Sequence, residues 1–154
     1  MGTNLSDGRT STRLKLVDEH IRLENQHDLD GIMGTFGRSA RYDDESAATH
    51  HTGRDEVRAY YAELLSAMPD LHIEVHKRHA SDDAIILEAV IAGRHLGAWS
   101  GLPPTGLRVE FPLCAVFSFD EADRLAAEKI YYDRATVLRQ LGVFHEPENM
   151  LGRI

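Results

Sequence analysis

The sequence predicts an α+β fold in which three N-terminal helices pack on a strongly curved, mainly antiparallel sheet. Two observations carry that expectation. Before Pro69 the apolar residues recur at helical spacing, and after it they alternate at every second position. Residues 93–107, GRHLGAWSGLPPTGL, then place four glycines, two prolines, a histidine and the only tryptophan between two strand-like segments. Gly and Pro hold backbone positions that other residues reach poorly, so this is a specified loop between long strands. Helices followed by an antiparallel meander leave the helices on one face of the sheet. A long bent sheet wrapped on helices makes a cone with an open mouth, and its pocket lies between sheet and helices.

Residues 1–11 are rich in Gly, Ser, Thr and Asn and are expected to form a flexible tail. One domain is expected over residues 12–143, followed by a C-terminal tail over 144–154. Thr12 is placed to cap the first helix, whose apolar stripe is Leu14, Val17, Ile21 and Leu23. Asp28 or Asp30 opens a short second helix with Leu29, Ile32, Met33 and Phe36 on its buried face, and Gly37 ends it. Residues 40–52 read as a polar connection that brings Tyr42, Asp43, Asp44, His50 and His51 close together. Gly53 leads into a third helix, with Asp55 and Glu56 in the first turn where the helix dipole favours them. Val57, Tyr60, Tyr61 and Leu64 form its stripe, and Pro69 stops it.

From there the period is two. Leu71, Ile73 and Val75 alternate with His72, Glu74 and His76. Residues 84–92 are nearly all apolar and read as a strand covered on both faces for much of its length. Leu107, Val109, Phe111, Leu113, Ala115, Phe117 and Phe119 share one face of the next strand. Residues 120–123 make an acidic turn, and residues 124–132 are the last strand. A short helix runs from Asp133 through Leu141 and ends at Gly142.

The bulk numbers narrow the function classes. With 154 residues, 42% hydrophobic and 27% charged, the chain is expected to be one soluble globular domain. Net charge is −8, from 25 acidic against 17 basic residues, which argues against a nucleic-acid partner. No apolar run approaches the roughly 20 residues that span a bilayer, so no membrane partner is expected. The polar N-terminus lacks a secretory core and Cys114 is the only cysteine, so the expected location is cytoplasmic, without disulfides.

The loop and its flanks also carry a family pattern. Gly93, His95, Gly97, Trp99, Gly101, Leu102, Pro103, Pro104, Thr105 and Gly106 stand in order, followed by Val109, Pro112, Glu128, Asp133, Leu138, Gln140, Leu141 and Gly142. Upstream lie Gly53, Arg54, Arg58, Pro69, Asp70 and Leu71. Over about residues 14 to 143 the chain resembles the SnoaL-like polyketide cyclases, members of the NTF2-like cone superfamily. The resemblance implies an α+β NTF2-like cone with a hydrophobic pocket, and a homodimer through the outer sheet face. It also implies an intramolecular aldol closure of a polyketide ester, run without a cofactor. In that chemistry an aspartate removes a proton alpha to a carbonyl while neighbouring donors hold the enolate.

Such a reaction needs a carboxylate base with a raised pKa and a hydrogen-bond donor near the developing oxyanion. Asp133 matches the family's aspartate ahead of the final helix and is the first candidate base, although Asp before RATVLRQLG also makes a good N-cap. Glu128 is the second candidate, with pairing to Arg94 or Arg54 as its alternative. The two acids fall on opposite strand faces unless the strand ends or bulges. His95 is either a donor to the enolate oxygen or a fastening of the PPTG loop. Trp99 is expected as a pocket wall, Tyr42 as a second hydroxyl donor and His51 at the rim. Phe111, Leu113, Phe117, Tyr131 and Tyr132 complete the expected apolar binding set. Ile130 and Ala115 stand where many of these cyclases carry polar residues, so the pocket should be largely greasy.

No metal is expected, despite nine histidines. His72 and His76 would lie about 13 Å apart along a strand, and no H-E-x-x-H motif is present. The reading that combines these features is a cofactor-independent acid/base enzyme acting on an apolar, carbonyl-bearing small molecule. The alternatives are a non-catalytic binding protein for such a molecule, and a hydrolase or dehydratase on the same cone.

Overall fold

The computed structural model describes residues 5–145. Four helices and six strands follow in the order α1 (Leu5–Asn25), α2 (Leu29–Thr35), β1 (Arg41–Asp44), β2 (Thr49–Thr52), α3 (Arg54–Ala67), β3 (His72–Ala80), β4 (Ala84–Arg94), β5 (Arg108–Phe119), β6 (Leu125–Tyr132) and α4 (Arg134–Gln140). The strands form one unclosed sheet ordered β2-β1-β6-β5-β4-β3. All neighbours are antiparallel except β1 and β6, which run parallel. The α+β cone expected from the periodicity is therefore present. No described helix is long and apolar enough to cross a membrane.

Two local expectations need correction. α1 begins at Leu5 and not at a Thr12 cap, so the tail expected over residues 1–11 is helical from Leu5 onward. Thr12 instead lies within the helix and donates its hydroxyl to the Gly8 carbonyl. Residues 1–4, and 146–154 of the expected C-terminal tail, lie outside the described residues. The polar segment 40–52 is also no mere connection: it holds the β1–β2 hairpin, with Tyr42 opposite His51 and Asp43 opposite His50. Each strand has only four residues, too short for a visible period. Their pairing is fixed from outside by Ser46, whose hydroxyl donates to the Tyr132 carbonyl (2.6 Å) and accepts from the Tyr132 amide (2.8 Å).

Elsewhere the chain chemistry accounts for the element ends. Asp28 caps α2 by accepting from the Gly31 amide. Three carbonyls at the other end of α2 and just beyond it, on Met33, Phe36 and Gly37, accept from the Arg54 guanidinium. The 93–107 loop is clamped to the end of α3, where the Leu96 and Gly97 amides both donate to the Ala67 carbonyl. A side chain at Gly97 would meet the Ser66 carbonyl oxygen at 2.6 Å, so only glycine fits there.

Three elements converge on the concave face of the sheet. α1 buries Val17, His20, Ile21 and Glu24 along one stripe, the i, i+3, i+4, i+7 positions of a helix. β6, flanked by β1 and β5, turns Glu128 and Ile130 inward. α3 contributes Tyr61, fully buried between them.

Candidate active site

The interior of the cone holds an unusual amount of polar chemistry for an apolar core. His20 is fully buried, and Glu24 and Glu128 are 3% and 4% exposed. His20 Nε2 lies 3.2 Å from Glu128 Oε2 and 3.8 Å from Glu24 Oε2. The Tyr61 hydroxyl donates to the same Glu128 oxygen and sits 3.2 Å from His20 Nε2. Behind the imidazole, Nδ1 is 2.8 Å from the Thr35 hydroxyl, which itself donates to the Ile32 carbonyl at 2.6 Å.

That last pair fixes the tautomer. The Thr35 proton is committed to a carbonyl, so Thr35 can only accept from His20, and Nδ1 carries a hydrogen. A second proton is then shared between Nε2 and the Glu128 carboxyl. Burial opposes a charge on His20, but the hydrogen bond to Glu128 and the negative charges of Glu24 and Glu128 outweigh it, and its pKa is raised. Glu24 Oε2 is buried and has no hydrogen-bond partner. Burial, reinforced by the neighbouring charge of Glu128 and only partly offset by His20, pushes the Glu24 carboxyl up to about 8. Glu24 is therefore a neutral acid at pH 7 that can still ionise.

A cavity of about 20 Å³ adjoins these groups, lined by Glu24, Glu128 and Tyr42 and by apolar residues including Ile73, Leu87, Leu113, Ala115 and Ile130. Tyr42 stacks on Tyr60 with ring centroids 4.0 Å apart, and its hydroxyl accepts from that of Tyr60 at 3.0 Å. Burial raises the pKa of Tyr42 and Tyr61 well above the usual phenol value, with further contributions from the Glu128 charge and neighbouring groups. Both stay protonated donors. Among the described residues, no acceptor takes the Tyr42 proton, which leaves it available toward the cavity.

The residues expected from sequence separate into two groups. Glu128, Tyr42 and Leu113 line the cavity. Phe117 packs edge-on against His20 at 5.5 Å, and Phe111 lies tilted against Tyr132 at 5.3 Å. Tyr132 faces inward and donates its hydroxyl to Asp44. Among the described residues Glu128 pairs with no arginine; Arg54 caps α2 and Arg94 holds the Gly106 carbonyl.

Asp133 is a correction. It is the exposed N-cap of α4, accepts from the Thr136 amide and hydroxyl, and has its pKa lowered by those bonds. A solvated, hydrogen-bonded carboxylate is a poor base. Tyr131 is a second correction: it is 46% exposed, opposite Cys114 and turned away from the cone interior. His95 is buried, but its Nδ1 accepts from the Thr105 amide at 3.1 Å and lies 3.0 Å from the Thr105 hydroxyl. It thereby fastens the PPTG loop, with Trp99 edge-on to its ring at 6.2 Å. Neither His95 nor Trp99 lines the cavity with Glu128. His51 packs against the Tyr60 ring at 5.0 Å on the hairpin.

Sequence reasoning missed His20, Glu24, Thr35 and the role of Tyr61. The signal was available for the first two, since His20 and Glu24 fall on the same stripe as Val17 and Ile21, one turn apart. Two clusters could hold a metal: the buried His20, Glu24 and Glu128, and Asp43, Glu45 and His50 on the hairpin. In the second, Asp43 already receives Arg41 Nε on both oxygens and His50 on one.

Comparison with known proteins agrees with this architecture. The family model described as SnoaL-like polyketide cyclase matches residues 14–141. AclR from Streptomyces galilaeus superposes with a TM-score of 0.76 at 22% identity, over 92% of each chain. A protein with a ketosteroid isomerase-like fold from Catenulispora acidiphila gives 0.70 at 19%, covering 84% of this chain and 93% of that one. SalBIII, described as an epoxide hydrolase/cyclase-like enzyme in salinomycin pyran ring formation, gives 0.69 at 20%, covering 79% and 91%. At these identities the likeness is one of fold. No curated protein sequence matches the chain.

Proposed function

The chain belongs to the SnoaL-like polyketide cyclase family, and from that premise we propose that it is a cofactor-independent acid/base enzyme acting on an apolar, carbonyl-bearing small molecule. The observation that carries this reading is Glu24: a buried carboxyl with an unpartnered oxygen, beside a second buried carboxyl, at a cavity that has to widen well beyond its about 20 Å³ to admit such a molecule. Two adjacent carboxyl groups in different surroundings divide the roles of acid and base. Glu128 takes the proton from the carbon alpha to a carbonyl. Neutral Glu24 and the Tyr42 hydroxyl donate to the carbonyl oxygen as charge develops on it. His20 and Tyr61, both on Glu128 Oε2, orient the base. The resulting enolate attacks a second carbonyl within the same molecule, forming one carbon–carbon bond, and the proton held by Glu128 passes to the new alkoxide. The family's second polar position on the last strand, Ile130 here, is apolar, and Glu24 supplies a carboxyl from the facing helix instead.

A second reading, hydrolysis or dehydration through an activated water, is favoured by the cavity itself. A volume of about 20 Å³ suffices for one water with polar partners, and SalBIII carries an epoxide hydrolase/cyclase-like description. A homodimer would use the outer sheet face, where Val90 lies opposite Pro112, and Cys114 opposite Tyr131.

The test is turnover of a panel of neutral polyketide esters, ketones and epoxides, read by mass spectrometry. Glu128→Gln should lower turnover by about 10²–10⁴-fold, the usual contribution of a positioned acid or base, and Glu24→Gln should lower it as well. A ligand that binds and emerges unchanged with parent protein would establish a binding protein instead.

A further inference from the structure

We propose that His20 Nε2, Glu24 Oε2 and Glu128 Oε2 form a site for one divalent transition-metal ion. The inference stands on coordination geometry and does not depend on the acid/base reading.

The three atoms lie within 4.8 Å of one another, with His20 3.2 Å from Glu128 and 3.8 Å from Glu24. An ion about 2.0–2.2 Å from each ligand spans ligand pairs of about 3–3.6 Å, and the two His20 pairs stand within a few tenths of an ångström of that range. Glu24 is 3% exposed and its Oε2 has no hydrogen-bond partner, so the oxygen is available to an ion. Thr35 holds the Nδ1–H of His20 and thereby aims Nε2 at the carboxylates, which is how metal-bound histidines are usually oriented. The adjoining cavity has room for a water as fourth ligand.

A dication with two carboxylates and a neutral imidazole sums to zero, so an ion would leave no net charge in the core. The other titratable groups facing the site are Tyr42 and Tyr61, which remain neutral donors throughout. One imidazole nitrogen with two carboxylate oxygens suits zinc, manganese, iron or cobalt better than calcium. The hairpin cluster is the weaker candidate, because Arg41 already neutralises Asp43.

Isothermal titration of the full-length protein with zinc chloride at pH 7 tests this. One ion should bind per chain, and the melting temperature should rise with zinc concentration. Glu24→Gln, nearly isosteric and checked for folding by circular dichroism, should weaken binding at least about tenfold, and Thr35→Val by about 10–100-fold. No binding at millimolar zinc, or parent-like affinity in Glu24→Gln, overturns the proposal; the latter would assign binding to exposed histidines. Loss of turnover in Glu128→Gln with no zinc binding would leave the acid/base reading standing alone.

Discussion

His20 Nε2 and Glu128 Oε2 lie 3.2 Å apart although 108 residues separate them in sequence. The contact joins the first helix to the last strand and sets the electrostatics of the whole interior. Glu128 draws a proton toward His20, and its charge helps to keep Glu24 protonated.

Stability should depend on pH through Glu24. Its folded pKa of about 8 stands above the ordinary value of 4.5. Below the ordinary value both states bind the proton and the carboxyl imposes no penalty. As pH rises through about 4.5 to 8 the unfolded chain ionises first, so stability falls and the loss is complete above the folded pKa. The total is on the order of several kcal/mol, at 1.36 kcal/mol per pKa unit. Glu24→Gln should remove this dependence, and denaturation at pH 5 and pH 9 should show its advantage over the parent growing with pH.

Thr35→Val should leave the buried Nδ1–H of His20 without an acceptor, at a cost of about 1–3 kcal/mol. Thr35→Ser keeps the hydroxyl and should restore most of the loss. Long-range proton–nitrogen NMR of the imidazoles should show Nδ1 of His20 protonated across the pH range in the parent and in Thr35→Ser, but not in Thr35→Val.

Asp133→Ala removes the α4 cap and should lower the melting temperature by about 2–4 °C. It should leave turnover unchanged, since the side chain is exposed and outside the cavity. A large activity loss would restore Asp133 as the base.

His95→Leu takes the acceptor from the Thr105 amide and should cost about 1–3 kcal/mol. Hydrogen exchange should rise in residues 95–107 while the titration of Glu24 stays where it was.

The fold was legible because its strands are long and its loop is built from glycine and proline. β5 alternates over most of twelve residues, and Gly97 is dictated by the Ser66 carbonyl. The β1–β2 hairpin was hidden because its four-residue strands depend on Tyr132 and β6, contacts that no local pattern encodes. The site was half legible. Glu128 stood out as an acid among apolar strand residues, whereas His20 and Glu24 lay within an apolar helix stripe that was read for its packing alone. Asp133 misled because one aspartate suits both a cap and a base, and only its surroundings tell them apart.

The most direct measurement is a carbon-13 NMR titration of the Glu24 side-chain carboxyl in the intact protein, assigned by its disappearance in Glu24→Gln. A midpoint near the value of about 8 is the result predicted for a neutral acid held inside the cone. A midpoint at the ordinary 4.5 would mean an ionised, solvated carboxylate, and would contradict the acid role assigned to it.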